Sequence, residues 1–179
     1  KRSDGQYCEN TQFSRVYRIY EFDRKLRSVL FAALEEVEIY LRAKLSYFYA
    51  HKYGAEGYMN DANFSSKHQA EKFKENLAFV AHHNEKYDGH FPLWVAVELF
   101  SFGMLSRFYS DMKTEDKKQL ARRLYGTVPK NVSSWLRCCT DLRNICAHYG
   151  RLYYRIFPAI PAGIEMKMPQ LSQLWGAVL

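Results

Sequence analysis

The sequence predicts an all-α protein, on three observations. Apolar residues recur at three- and four-residue steps over most of the chain, the period of a helix with one buried face. Gly and Pro number only 9 and 5 among 179 residues, and helix-forming residues dominate. No stretch of any length alternates apolar and polar residues with the period of a strand. A chain of this length suits one domain with a real core.

The elements follow in order. Residues 1–12 are polar and mixed, an N-terminal remnant outside the helical domain. Asp23 is a good N-cap for a first long helix that Tyr53-Gly54 ends. Leu26, Val29, Leu30, Ala33, Leu34, Val37, Leu41, Leu45 and Phe48 mark its buried face. Glu35, Glu38 and Arg42 fall off that face, and Glu35 is the one placed to reach a partner. Residues 54–63 read as a loop, and a second helix starts at Ser65 or Ser66 and runs to His83. After a polar loop over 84–91, Pro92 suits the first turn of a third helix carrying Leu93, Trp94, Val97 and Phe100. Ser101-Phe102-Gly103 bends or breaks it before Met104, Leu105, Phe108 and Tyr109 resume the pattern. Thr114, with Glu115 and Asp116 behind it, starts a short basic helix to Tyr125. A last helix begins near Asn131 or Ser133 and stops at Gly150. The helical domain therefore spans 13–157. Residues 158–179 form a tail punctuated by Pro158, Pro161 and Pro169, with Leu171, Leu174, Trp175 and Val178 on one apolar face for packing.

Composition narrows the function classes. Lys and Arg number 26 against 19 Asp and Glu, a net charge of +7 that is compatible with a polyanion partner. No apolar run is long enough to span a membrane and no secretory signal is visible, so a cytoplasmic protein is expected. The chain opens at Lys1 without a Met, which predicts that a native segment precedes it. Cys138 and Cys139 are adjacent and cannot form a CxxC pair, while Cys8 and Cys146 stand alone; free thiols are expected. His82, His83 and His90 lie in a stretch rich in metal-ligand types, but their spacing matches no metal site, and a solvated helix end and loop is the reading taken. No metal and no cofactor are expected. There is no Gly-rich phosphate loop and no nucleophile motif either.

Reactive side chains gather in one place, Asp141-Leu142-Arg143-Asn144-Ile145-Cys146-Ala147-His148-Tyr149-Gly150-Arg151. Trp135, Cys138, Leu142, Ile145, Tyr149 and Leu152 form an apolar stripe, and Asp141, Asn144 and His148 form a polar one. Arg143 sits one residue step from Asn144, about 100° round the helix, and its long side chain is able to swing toward His148. On the residues alone the favoured reading is an ordinary helix end, with Arg143 paired to Asp141 or Glu98 and His148 closing the turn.

The spacing of Arg143 and His148, with Asn144 directly after the arginine, resembles the Arg-x4–6-His motif of HEPN-domain ribonucleases. Three blocks narrow the resemblance to the Abi-like (abortive infection, AbiD/AbiF-type) branch: "YRIYEFDRKLRSVLFAALEEVEIYLRAKLSY", "LWVAVELFSFGMLSRFYS" and "WLRCCTDLRNICAHYGRLYYRIF". It runs from about Phe13 to Pro161. The family usually reads closer to "AHHNRLWNR", where this chain has Tyr149, Gly150, Tyr153 and Tyr154. Gly150 also stands where some HEPN toxins carry a modifiable tyrosine.

The resemblance implies a HEPN-like helical bundle and a metal-independent endoribonuclease in bacterial phage defence or a toxin system, with a composite site at a homodimer interface. Arg143, Asn144 and His148 would then carry the chemistry. A 2′-hydroxyl attacking its neighbouring phosphate needs a base, an acid for the leaving 5′-oxygen and a cation for the phosphorane. His148 supplies base or acid, Arg143 a planar fork of donors and Asn144 an orienting amide. Arg137, Arg151 and Arg155 are placed to track an RNA backbone, and Tyr149, Tyr153 and Tyr154 to stack on bases. The alternative is a non-catalytic module that binds RNA or a protein, with a non-coding RNA or an antitoxin as partner.

Overall fold

The structure, a computed structural model, describes residues 10–66, 68, 91–157 and 159–163. Among them the elements are α-helices and short 3-10 turns, with one isolated antiparallel bridge between Phe64 and Met112, so the all-α prediction holds. The helices are α1 (Phe13–Tyr53), α2 (Leu93–Ala96), α3 (Phe102–Asp111), α4 (Thr114–Tyr125) and α5 (Pro129–Ala147). No helix among the described residues is long and apolar enough to cross a membrane. Ser65, Ser66 and His68 are described and lie in no helix; the rest of the second helix expected from there to His83, the candidate ligands His82, His83 and His90, and the tail beyond residue 163 lie outside the described residues.

The described residues fall into two compact units, one of 10–34 with 142–157, the other within 35–141 with 159–163. The hydrophobic core belongs to the second unit. Leu41, Leu45 and Tyr49 of α1 are enclosed there with Phe100, Phe102, Leu105 and Phe108. Full burial of such side chains contributes about 1.5–3 kcal/mol each relative to exposure. Polar ties fix the helices around this core. Arg42 donates to Glu38 at 2.6 Å and to the Phe100 carbonyl at 2.8 Å. Asp116, fully buried in the first turn of α4, pairs with Lys52 and accepts from the Tyr53 hydroxyl at 2.6 Å.

Several boundaries match the sequence reading. α4 has the predicted ends, Thr114 and Tyr125. The break expected at 101–103 is real: α2 tightens into a 3-10 turn over Val97–Leu99, Phe100 turns extended, and the Ser101 side chain caps α3 by accepting from Met104 N–H. Residues 54–63 also contain two 3-10 turns, Gly57–Met59 and Asp61–Asn63.

Other expectations are corrected. α1 starts at Phe13, ten residues before the predicted Asp23, and Asp23 is buried inside it. Of the predicted buried face, Leu34, Leu41, Leu45 and Phe48 are buried, whereas Val29, Ala33 and Val37 are exposed. Glu38, placed off the face, is buried because Arg42 neutralises it. Trp94 is exposed as well, because Leu93, Ala96 and Val97 take the inward stripe and Trp94 lies a residue step, about 100°, away from it. α5 begins at Pro129, two residues before the earlier predicted start, with proline in the first turn, where its missing N–H costs nothing. Residues 159–163 run beside it in the second unit: the Trp135 indole donates to the Ala162 carbonyl at 2.6 Å, and Ala162 N–H donates to Ser134 Oγ at 3.0 Å.

Candidate functional site

The C-terminal end of α5 carries Arg143, Asn144 and His148, all in the first unit. The helix closes there with a pair of reverse hydrogen bonds. Tyr149 N–H donates to the Cys146 carbonyl at 3.2 Å and Gly150 N–H to the Ile145 carbonyl at 2.8 Å. This is the Schellman arrangement, with His148 at the C-cap and Tyr149 in the left-handed conformation at φ 54°. The predicted stop at Gly150 is corrected: the helix ends at Ala147. Tyr149 makes the left-handed turn, while Gly150 is the residue pressed against the last turn. A Cβ on Gly150 would stand 2.9 Å from Ile145 Cγ2 and 3.1 Å from its carbonyl oxygen.

The turn decides where the side chains go. Tyr149 was expected in the apolar stripe, but the helix ends at Ala147, and its ring is 84% exposed. Cys146 and Leu152 are buried instead, and burial pushes the Cys146 thiol up, keeping it protonated and inert. Asn144 and His148 are both exposed, one helical turn apart, and His148 N–H closes that turn on the Asn144 carbonyl at 3.0 Å. Arg143 is half-buried with its Nε buried, and its Cζ lies 5.9 Å from the centroid of the Phe31 ring on α1. That is cation–π distance, worth about 0.5–1 kcal/mol at a partly exposed site. The sequence reading left Arg143 able to swing toward His148; the structure sets its guanidinium on Phe31.

The residues after the turn are held from α1. Asp23 Oδ1 accepts from Leu152 N–H at 2.9 Å and from Tyr153 N–H at 2.7 Å. Its Oδ2 pairs with Arg27, whose Nη1 also reaches the Gly150 carbonyl at 3.4 Å. Asp23 and Arg27 are both buried. A buried carboxylate stays charged at low cost only when a cation and hydrogen-bond donors surround it, and here both are present. Sequence reasoning missed this pair. Its only local signal is the four-residue step from Asp23 to Arg27, since the amides that Asp23 receives are 129 and 130 residues away.

Of the side chains expected to follow an RNA strand, Arg151 and Arg155 are exposed in the same unit. Tyr153 is half-buried, edge-on to Phe22 at 5.7 Å and to Tyr154 at 4.4 Å. A hydrogen bond with Tyr154 holds its hydroxyl in the neutral form, raising its pKa. Tyr154 is exposed, with its own left-handed φ of 57°. Arg137 is exposed in the second unit, as is Glu35; Asp141, third member of the predicted polar stripe, belongs to that unit too. Among the described residues no three His, Cys, Asp or Glu side chains stand together to hold a metal ion.

Chemically, the arrangement offers an exposed imidazole and an exposed carboxamide on one side of a locked helix end, with a guanidinium one residue step away. Exposed arginines and a tyrosine ring follow within a few residues. An imidazole can give or take a proton, and the cations suit a phosphodiester. Compared with known proteins, the chain matches the family model described as Abi-like protein over residues 1–154. No curated protein and no solved structure matches it.

Proposed function

Because the chain belongs to the Abi-like family, which suggests a part in abortive infection, we propose that it is a HEPN-type endoribonuclease of bacterial phage defence or a toxin system. The observation that carries this reading is the joint exposure of Asn144 and His148 at a helix end whose geometry is fixed, next to Arg143.

The reaction proposed is transesterification. The 2′-hydroxyl oxygen attacks the adjacent phosphorus as a base takes its proton. The bond from phosphorus to the 5′-oxygen breaks, and an acid protonates the leaving oxygen. The products are a 2′,3′-cyclic phosphate and a 5′-hydroxyl, and no metal takes part. His148 serves as base or acid, Arg143 stabilises the phosphorane and Asn144 orients the imidazole or the phosphate. One imidazole cannot stand on both sides of an in-line displacement. A two-fold dimer brings a second His148 and a second Arg143 to the same cleft, which is why a homodimer is part of the proposal. Arg137, Arg151 and Arg155 then contact the RNA backbone, and Tyr149 and Tyr153 contact bases. The substrate places the protein in the cytoplasm, with an antitoxin or a non-coding RNA as a regulatory partner.

Expression in bacteria tests the reading. Wild-type protein is expected to arrest growth with loss of intact RNA, and His148→Ala to do neither. Arrest by both proteins, or RNA retained by both alike without cutting, would favour the non-catalytic binding module instead.

A further inference from the structure

The carboxylate of Asp23 does what a helix N-cap does, but for a segment on the far side of the chain. It gathers two consecutive backbone amides, Leu152 and Tyr153, at 2.9 and 2.7 Å on one oxygen. The other oxygen is occupied by Arg27, which also reaches the Gly150 carbonyl. Leu152 is buried beside this arrangement. Three of the four residues 150–153 thus have a backbone group tied to two side chains a single helical turn apart on α1. The segment they hold starts two residues after His148 and includes Arg151.

Phe31 extends the same device. It lies one turn beyond Arg27 on α1, at the regular four-residue step Asp23, Arg27, Phe31. Its ring carries the Arg143 guanidinium. One stripe of α1 therefore addresses both ends of the motif: Phe31 meets the arginine, and Asp23 with Arg27 meets the turn that follows the histidine.

We infer that Asp23 and Arg27 are positioning residues for the cleavage site, fixing the turn from which His148 projects relative to Arg143. The inference rests on the reading of residues 143–148 as a cleavage site, and neither residue touches the reacting atoms. Displacement of a catalytic group by an ångström lowers the rate by as much as about 10²-fold. Loss of the carboxylate charge should therefore act on kcat rather than KM.

The test uses Asp23→Asn, which keeps an oxygen for the two amides but replaces the one facing Arg27 with a donor. Three quantities are compared with wild type: kcat and KM for a labelled single-stranded RNA, hydrogen exchange of the Leu152 and Tyr153 amides, and the His148 imidazole resonances. The fraction folded is measured by urea titration in the same buffer. The expected result is a fall in kcat of about tenfold or more, KM within about threefold, faster exchange at both amides and shifted His148 resonances, in protein that remains folded. Wild-type kcat with unchanged exchange would overturn the inference. So would a fall in activity that matches the unfolded fraction, because that is the mark of a merely structural pair. If wild-type protein cuts no RNA, the nuclease reading fails and takes the catalytic part of the inference with it; whether the pair sets the turn that carries His148 is then decided by the His148 resonances, which uphold it if moved by Asp23→Asn and refute it if unmoved.

Discussion

α4 and α5 both end by turning the backbone left-handed, and they do so with different residues. At the end of α4 the residue is Gly126, at φ 58°, with nothing within 4 Å of where a Cβ would stand. Its N–H returns to the Arg122 carbonyl at 3.2 Å, and Thr127 N–H to the Ala121 carbonyl at 3.4 Å. At the end of α5 the residue is Tyr149, at φ 54°, and glycine comes one position later. A side chain in this conformation costs about 1–2 kcal/mol relative to the right-handed region, which glycine avoids. The difference teaches where the chain tolerates strain. It is relieved at α4 and kept at the one helix end that presents Asn144 and His148, where an exposed ring is available to a ligand. The α5 end is also held from outside, by Asp23 and Arg27.

Substitutions break or sharpen this contrast. The largest expected effect is from Asp23→Ala, which leaves the Arg27 charge buried and two amides without their acceptor. Breaking a buried pair in this way costs about 3–5 kcal/mol, to be read as a lowered urea midpoint with an unchanged slope. A loss below about 1 kcal/mol would mean that the α5 end stands without the clamp. Gly150→Ala comes next. Its Cβ would press on Ile145 Cγ2 and the Ile145 carbonyl, at a cost of about 1–3 kcal/mol, measurable by thermal unfolding. Gly126→Ala has open space, so only the backbone conformation opposes it, and about 1 kcal/mol should be lost in the same assay. Tyr149→Gly runs the other way. Relief of the left-handed turn should stabilise the protein by up to about 1 kcal/mol, while binding of single-stranded RNA weakens by about 1–3 kcal/mol if the ring stacks on a base. Stabilisation without weaker binding would leave the ring with no role in recognition.

The parts of the fold legible in the sequence are those whose signals are local. Thr114 with its acidic followers and the Ser101 break are written within a turn of where they act, and their boundaries came out as predicted. The placement of Asn144 and His148 a turn apart at one helix end was legible in the same way, from spacing, whereas the direction of Arg143, set on Phe31, was not. Asp23 shows where this stops working. Judged by its neighbours it is an N-cap, yet the groups it binds are at Leu152 and Tyr153, so it lies mid-helix and α1 extends back to Phe13. Tyr149 fits the apolar stripe only if the helix continues, and the Schellman turn removes it. Trp94 belongs to the apolar pattern of its helix, yet it is exposed and the small Ala96 occupies the inward position in that single turn.

The proposed activity is tested most directly by incubating labelled single-stranded RNA and tRNA with wild-type protein and with His148→Ala in excess EDTA. The imidazole is exposed, so its loss should leave the fold intact while removing about 10²–10⁴-fold of rate from proton transfer alone. Cleavage is expected from wild type only, leaving 2′,3′-cyclic phosphate and 5′-hydroxyl ends. Cleavage that stops in EDTA, ends of another chemistry, or equal cutting by His148→Ala would contradict the proposed activity.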